Sequence, residues 1–553
     1  MNWLQLSAET DGLIQLELGI IVLLTIAAGV AIVVRRLRFP YTVALVIVGL
    51  LLSLLPEPLI GIEFSKDVIL AVLVPPLIFE AALHLPIKSL KSNWLVIFLT
   101  AIVGTFVGTF IVGGVVAATL DIPFVAAIAF GALISATDPV AVVAFFRTLG
   151  VSKRLTVLVE GESLFNDGAA IVIFNIALAT GALISAGEYE GFNALEAFGE
   201  FLIVALGGLV VGSILGGIVS YVILKNVDDA LIETAVTLAV AFGSFLLAED
   251  FGSIFGGLFT FLDPSFHFSG ILAVVAASLF VGNVGTLNTS PTTKVTLDNF
   301  WEFLTFIANS FVFLVIGLRI NLAAFQEHIV AILIAVGIVL ASRAFLIYGL
   351  TWLHGSLRPK EHIPTDYRHV MFWGGLRGAI SLALVLALDG SIFGAEVSEQ
   401  LQVMTFGVVL FTLLVQGLTI SGVIKRLGLI SSAEHRNEQL RIQALVIAKR
   451  AGQAELAKLH KEGILAEDIY GAMNSVYERD IGNYQSALAQ HLAQFPELEQ
   501  EILLVARIDT LRSERVAIVD AGRRGLISAE LQAELLAQID ERAEAVKLLQ
   551  EAY

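Results

Sequence analysis

The 553-residue sequence contains no cysteine. This absence excludes disulfide bonds, thiolate catalysis and metal sites built on cysteine. Charge is also scarce: Asp, Glu, Lys and Arg make up only 15% of the residues, whereas a soluble protein carries about 25%. The net charge of −17 comes with no basic stripe that could bind phosphates, which argues against a nucleic-acid partner.

Hydrophobic residues are abundant instead, at 57% of the chain with a mean hydropathy of +0.86. The 48 glycines suit membrane helices, where small residues let backbones approach closely. We therefore predict an all-α polytopic membrane protein with about 13 transmembrane helices, each near the ~20 residues that a bilayer requires. The predicted segments are 13–34, 41–56, 67–84, 93–118, 124–146, 155–183, 195–224, 230–249, 269–285, 300–318, 328–354, 369–390 and 400–424.

Basic residues collect in alternate loops between these segments. One side holds Arg35, Arg36, Arg38, Lys88, Lys91, Arg147, Lys153, Arg154, Lys225, Lys294, Arg358, Lys360, Arg368, Lys425 and Arg426. The positive-inside rule then places the N-terminus outside and the C-terminal tail in the cytoplasm. The start, "MNWLQLSAETDGL", lacks the basic region of a signal peptide, so we expect the first segment to remain as a span. No transit peptide is recognisable, which favours a multi-pass protein of the plasma membrane.

Two stretches differ from this pattern. Residues 251–268, "FGSIFGGLFTFLDPSFHF", are interrupted by Asp263-Pro264 and are predicted to form a re-entrant or interfacial hairpin on the outer side. From about residue 432 the composition shifts to Glu, Gln, Arg and Ala, with apolar residues at helical spacing. We predict a transmembrane domain over 1–430 and a cytoplasmic helical tail over 431–553, which is either regulatory or a solvated appendage.

A few ionisable residues fall inside the apolar segments, where charged groups are rare and are functional candidates by default. They are Glu80, Asp138, Glu160, Glu162, Asp167, Arg343 and Arg377, with Glu302 near the end of a segment. We expect Arg343 to pair with a nearby carboxylate and Glu160 to act as a charge in the cytoplasmic funnel.

The sixth segment carries three of these carboxylates in "EGESLFNDGAAIVIF", residues 160–174. Ser163 precedes Asp167 by four residues, so the two side chains share a helix face. Glu162 and Asn166 form a second pair of this spacing on the neighbouring stripe. One stripe therefore offers oxygen ligands, and the other offers groups for a structural ion pair.

Two other segments are predicted to be broken helices. In "SATDPVAVVAFF" the ring of Pro139 removes a backbone donor and clashes with the preceding turn. In "WGGLRGAISLAL" three glycines surround Arg377. If segments 1–6 and 8–13 are two inverted six-helix repeats, the breaks in segments 5 and 12 occupy corresponding positions. Paired interruptions of this kind indicate a transport site.

Four motifs in this order, "PPLIFEAALHL", "SATDPVAVVAFF", "EGESLFNDGAAIVIF" and "WGGLRGAISLAL", closely resemble the monovalent cation:proton antiporters over about residues 10–425. The match is to the NhaP-like sodium/proton exchanger branch with an Asn-Asp pair in the sixth span. By this resemblance Asp167 alternately carries a proton or a cation. The same comparison assigns ion binding to Asp138, Ser163, Thr137 and, in some members, Glu80. It also implies a structural ion pair of Glu162 and Arg377 steadied by Asn166.

The resemblance implies a secondary antiporter that exchanges Na⁺ or Li⁺ for H⁺, electroneutrally and one for one, and that works as a homodimer without a cofactor. A K⁺/H⁺ antiporter of the same architecture stays open, because the ligand types suit either ion. A cation channel would be expected to use symmetric pore rings at an oligomer axis, so paired broken helices favour a carrier. No catalytic pair with a recognisable motif and no nucleotide loop occurs, so we do not expect an enzyme.

Overall fold

The structure is a computed structural model that describes the chain apart from residues 1–2, 38–39, 55–68, 188–193, 228, 257–265, 287–288, 320–321, 389, 430–432, 525 and 553. All regular structure in the described residues is helical. The chain divides into two compact units, Met1–Thr148 with Ser152–Leu429, and Leu149–Val151 with Ile430–Tyr553.

The first unit is a bundle of apolar helices. Its helices, some of which include a π-helical turn, are Trp3–Leu37, Tyr41–Ser53, Ile69–Leu83, Ile87–Ser92, Trp94–Leu120, Phe124–Ser135, Val140–Leu149, Lys153–Ser185, Leu195–Ile223, Ala230–Glu249, Phe251–Phe255, Gly270–Gly285, Pro291–Arg319, Leu322–Glu327, Ile329–Leu357, Thr365–Trp373, Ala379–Val385, Gly390–Phe393 and Ala395–Arg426, with a 3-10 turn at Pro359–Glu361.

By length and composition, the described part of the chain has nine helices able to cross a membrane and three shorter apolar helices. A further segment is divided into two short helices, Thr365–Trp373 and Ala379–Val385. Together they lie where the thirteen apolar segments are predicted, which confirms the predicted all-helical membrane architecture. The number of helices that actually span the bilayer stays a prediction.

Both predicted helix breaks are present. The first lies at residues 136–139 and the second at residues 374–378. They touch each other, because the backbone N–H of Asp138 donates to the carbonyl of Leu376 over 2.8 Å. A β-carbon at Gly378 would lie 2.1 Å from Asp138 Oδ2, so this crossing has room only for glycine. The two breaks lie in motifs that are far apart in the sequence, and in the structure they cross and contact each other.

The Lys153–Ser185 helix carries the sixth-segment motif past this crossing. Its first turn is capped by Ser152, whose Oγ accepts the N–H of Leu155 over 3.3 Å. At 33 residues the helix is about 50 Å long, which exceeds the ~30 Å of a bilayer core. Most of its length is buried among other helices, so residues such as Ser163 and Asn166 face protein rather than lipid.

The 251–268 stretch is described only in part. Gly252 N–H donates to Phe266 O over 2.7 Å, and Phe268 N–H donates to Ala248 O over 2.8 Å. These bonds bring the two ends of the stretch together, as a hairpin requires. The predicted turn at Asp263-Pro264 lies outside the described residues.

The second unit consists of the helices Ala433–Lys461, Glu467–Gln494, Pro496–Arg523 and Ala529–Ala552. The first two pack together, and so do the last two. Lys449 Nζ lies 2.7 Å from an oxygen of Asp480, and this hydrogen bond raises the pKa of Lys449. The last pair of helices buries an apolar cluster of Leu511, Ile539 and Val546. Each pair thus has contacts of its own.

The Tyr41–Ser53 and Pro291–Arg319 helices approach each other closely at Gly49 and Gly317. A β-carbon at Gly49 would lie 2.3 Å from Leu314 O and 2.9 Å from the Cα of Gly317. Because these are backbone atoms, Gly49→Ala should force the Tyr41–Ser53 and Pro291–Arg319 helices apart. Overpacking of this kind costs about 1–3 kcal/mol. We expect a lower melting temperature for the detergent-solubilised variant.

Gly29→Ala is the matched control, since nothing lies within 4 Å of a β-carbon there. It should leave the melting temperature unchanged or raise it slightly, because alanine favours helix more than glycine does. Equal melting temperatures for the two variants would show that the Gly49 contact is not tight.

Candidate functional site

The predicted ion-site residues meet at one cavity beside the crossed breaks. The cavity measures about 80 Å³, and a single water needs about 10–15 Å³ by the same measure, so an ion with several waters fits. All five residues predicted to bind the ion or proton line it, and Glu160 does too. The polar lining comprises Glu80, Thr137, Asp138, Glu160, Ser163, Asp167, Thr305, Asn309 and Ser381.

Asp167 reaches this cavity from the middle of the Lys153–Ser185 helix. Its Oδ1 atom is buried and has no hydrogen-bond partner among the described residues. Taking an ionised carboxylate out of water without a partner is strongly unfavourable. A proton or a cation at this oxygen would remove the cost, which makes Asp167 the natural attachment point for either.

Thr137, at the first break, is held by two side chains of the Lys153–Ser185 helix. Asn166 Oδ1 accepts its backbone N–H over 3.1 Å, and Asn166 Nδ2 donates to its Oγ1 over 2.8 Å. Ser163 Oγ donates to its carbonyl. A carbonyl and a hydroxyl each keep a further lone pair, so both Thr137 and Ser163 can still ligate a cation while holding the break in place.

Asp138 occupies the point where two short helices begin. Its Oδ1 accepts the N–H of Val140 over 2.9 Å, and its carboxylate also interacts with the backbone N–H of Ala379. Helix N-termini favour negative charge, because their first N–H groups lack partners within the helix. Asp138 therefore both stabilises the crossing and presents a carboxylate to the cavity.

Arg377 lines the same small cavity as Glu162 and Asn166, but it does not make the direct contact with Glu162 that the predicted ion pair requires. Glu162 Oε1 instead lies 3.0 Å from Nη1 of Arg343, and both side chains are largely buried. Arg343 also donates to the carbonyl of Met371 over 2.8 Å. It fits because Gly375 has no side chain: a β-carbon there would lie 2.0 Å from Arg343 Nε.

Arg377 lies in the second break, and its direct hydrogen bonds are with backbone carbonyls and a threonine. Its Nη1 donates to the carbonyls of Ser135 and Ala136 over 3.3 and 3.4 Å, and its backbone N–H donates to Thr412 Oγ1 over 3.1 Å. These two carbonyls end the Phe124–Ser135 helix, where a cation is favourable. Asn166 likewise steadies Thr137 rather than an ion pair.

Several residues of the site were not singled out from the sequence. Asn309, on the Pro291–Arg319 helix, is 6% exposed and lines the ion cavity. Thr305 on the same helix and Ser381 also line this cavity. The sequence "ANS" interrupts an apolar run and could have indicated Asn309. A neutral amide in an apolar segment is a weaker indication of function than a charged residue is. Glu302 is exposed and does not line the cavity.

The sequence model of the transmembrane sodium/hydrogen exchanger family matches residues 20–426. The chain belongs to this family. Among curated members, the Na⁺/H⁺ antiporter NhaG of Bacillus atrophaeus is 34% identical over 93% of this chain and 94% of its own. The Na⁺/H⁺ antiporter ApNhaP of Aphanothece halophytica is 34% identical over 94% of this chain and 96% of its own.

The fold of this exchanger also matches a solved structure, the sodium proton antiporter MjNhaP1 from Methanocaldococcus jannaschii. The TM-score is 0.61 at 20% identity, over 76% of this chain and all of the other. At that identity the match supports the fold of the membrane unit and says nothing about individual residues.

The Glu162–Arg343 pair leads to a stability prediction. Arg343→Met would leave Glu162 charged and unpaired in a buried position, which costs about 3–5 kcal/mol. We expect a clear fall in the melting temperature of the solubilised protein. The double variant Glu162→Gln with Arg343→Met should lose less than the sum of the two single changes.

Arg358→Met is the control, because Arg358 and its partner Glu361 are about two-fifths exposed. An exposed pair contributes less than about 1 kcal/mol. Additive losses at Glu162 and Arg343 would contradict the direct pairing.

Proposed function

We propose that the chain is a secondary antiporter that exchanges Na⁺, or Li⁺, for H⁺. The observation that carries this proposal is the unpartnered Asp167 oxygen at a cavity bounded by the two crossed breaks. The family gives the reaction class, and the names of its curated members specify sodium. Exchange would be electroneutral and one for one, since Asp167 is the one site carboxylate with a buried oxygen that lacks a hydrogen-bond partner among the described residues.

In this mechanism the cation and the proton compete for Asp167. Hard cations prefer oxygen ligands, and the cavity offers the carboxylates of Asp167 and Asp138 with the oxygens of Ser163 and Thr137. Glu80 lines the same cavity and would help to attract cations to it. Because the empty, ionised site is costly, the site would move across the membrane only with an ion or a proton bound. Because the unoccupied site would not cross, the movement of sodium in one direction would be coupled to the movement of protons in the other, without a leak of either ion.

The scaffold around the site would move as a unit. Asn166 ties the helix of Asp167 to the first break, the Asp138–Leu376 bond ties the first break to the second, and Arg343 ties the second to Glu162. We propose that these contacts carry the ion ligands together during alternating access. The transported ions are the substrates, and no cofactor is proposed.

The charge pattern of the loops supports an orientation of the exchanger in the membrane, and its family supports a dimer. We propose a plasma-membrane homodimer with the N-terminus outside and the C-terminal tail in the cytoplasm, with roles in sodium homeostasis and pH regulation. The tail would act as a separate domain from residue 431 onward.

Asp167→Asn should abolish exchange, because the amide cannot bind a proton or neutralise a cation in the same way. The measurement is dequenching of a pH-sensitive dye in proteoliposomes, with Na⁺, Li⁺ and K⁺ titrated separately. Expression and oligomeric state, checked by size-exclusion chromatography, should be unchanged.

Glu160→Gln is the matched control, as it makes the same chemical change at the rim of the cavity. It should keep exchange and weaken only the apparent cation affinity. Normal sodium-driven proton movement in Asp167→Asn would refute the mechanism. A response of the wild type to K⁺ but not Na⁺ would make it a K⁺/H⁺ antiporter instead, and a unitary conductance would make it a channel.

We further propose that the tail sets the activity or pH response of the exchanger, because it forms its own compact helical unit. A stop codon after residue 429 should leave exchange present but change its rate or pH profile in the same liposome assay. An unchanged rate, pH profile and oligomeric state would show that the tail has no such role.

A further inference from the structure

The polar lining of the ion cavity comes from two groups of helices. The first group is the crossed breaks with the Lys153–Ser185 helix, and it supplies every cation ligand proposed so far. The second group has no break at the cavity. In it the Ile69–Leu83 helix supplies Glu80, and the Pro291–Arg319 helix supplies Thr305 and Asn309.

The helix of Asn309 is held in place by contacts on both sides of this residue in the sequence. Thr305 Oγ1 donates to the carbonyl of Pro76 over 3.3 Å. The hydroxyl oxygens of Ser310 and Tyr41 lie 2.7 Å apart. Because residues 305 and 310 are bonded to two different neighbouring helices, the helix cannot rotate freely between them. Asn309, which lies between these contacts, is therefore kept at the cavity.

Asn309 differs in chemistry from the rest of the polar lining. The hydroxyl groups of Ser163, Thr305 and Ser381 each donate to a backbone carbonyl. Among the lining residues that the structure describes, Asn309 is the one carboxamide. Its side-chain oxygen has two lone pairs and no proton, and amide oxygens of this kind ligate hard cations in proteins. The side chain is 94% buried, since 6% of it is exposed, so the cavity is where this oxygen can find a cation.

We infer that the side-chain oxygen of Asn309 is a further ligand of the transported cation. It strengthens cation binding from a helix outside the crossed breaks, and it adds no charge to the cavity. A carboxylate at this position could bind a proton in competition with Asp167, whereas an amide leaves that competition to Asp167 alone. This inference rests on the proposed exchange, and it assigns to that site a residue that favours the cation over the proton.

The test measures cation binding apart from transport. A ligand that binds the folded protein raises its melting temperature, so full-length protein in detergent is titrated with NaCl at alkaline pH, against N-methylglucamine chloride at equal ionic strength. Asn309→Leu replaces the amide group by two methyl groups. We expect its apparent Kd for Na⁺ to be at least about tenfold higher than that of the wild type, since a bond to a charged group contributes that much or more.

Asn309→Asp separates a ligand from a hydrogen-bond donor, because it keeps a side-chain oxygen and removes the amide N–H groups. It should keep the Na⁺ affinity of the wild type at alkaline pH. A loss of affinity as large as that of Asn309→Leu would show that the amide acts as a donor and would overturn the inference. If Asn309→Leu does not fold, Asn309→Ala takes its place with the same expected rise in Kd.

Two controls lie on the same helix. Asn299→Leu makes the same chemical change at an exposed position and should leave the Kd unchanged. Ser310→Ala removes a fully buried hydroxyl that does not line the cavity. It should lower the melting temperature without changing the Kd, which is the result that a purely structural role of Asn309 would also give. An unchanged Kd in the Asn309 variants would therefore overturn the inference.

Transport in proteoliposomes then distinguishes this inference from the exchange on which it rests. Asn309→Leu should raise the KM for Na⁺ and leave the rate at saturating Na⁺ close to that of the wild type, because uniform binding is lost. Na⁺ binding that depends on Asn309 without sodium-driven proton movement would refute the exchange alone. Exchange with a normal KM in Asn309→Leu would refute the ligand alone. A wild type that no alkali cation stabilises would overturn both.

Discussion

The hydrogen bond between the backbone N–H of Asp138 and the carbonyl of Leu376 joins the two helix breaks at the candidate site. Each broken helix leaves backbone groups without partners inside the helix, which is tolerated at membrane depth only where protein or a cavity surrounds them. Because the two breaks cross, a backbone group of one break forms a hydrogen bond with a backbone group of the other. Asn166 does the same for the amide of Thr137. These backbone groups form their hydrogen bonds with protein around the cavity. The cavity therefore does not have to supply partners for them.

Around this crossing, most charged side chains have fixed partners, whereas one carboxylate oxygen has none among the described residues. Glu162 and Arg343 neutralise each other, while Arg377 faces the carbonyl end of the Phe124–Ser135 helix. Asp167 alone among the site carboxylates keeps a buried oxygen without a partner in the described residues. Since unpaired buried charge is costly, the fixed pairs stabilise the scaffold, and in the mechanism that we propose the partner of Asp167 changes during transport.

Sequence reasoning succeeded where the physical cause is local and failed where it is not. The proline after Asp138 and the glycines around Arg377 weaken a helix wherever they occur, so both breaks were predictable. The shared face of Ser163 and Asp167 follows from helical spacing. The partner of Glu162 was not predictable in this way, because two arginines lie in the apolar segments and only the path of the chain through the second break decides which one reaches it.

From the amino-acid sequence it was possible to know the membrane architecture, the positions of the breaks and the residues that gather at the ion cavity, because apolar length, helical spacing and the backbone effects of proline and glycine act over short stretches. The three-dimensional structure alone revealed that the breaks touch and that the direct ion pair of Glu162 is with Arg343 rather than with Arg377. Each of these is a contact between segments far apart in the chain. Such contacts depend on which helices pack together and how they are rotated, and no local pattern encodes that.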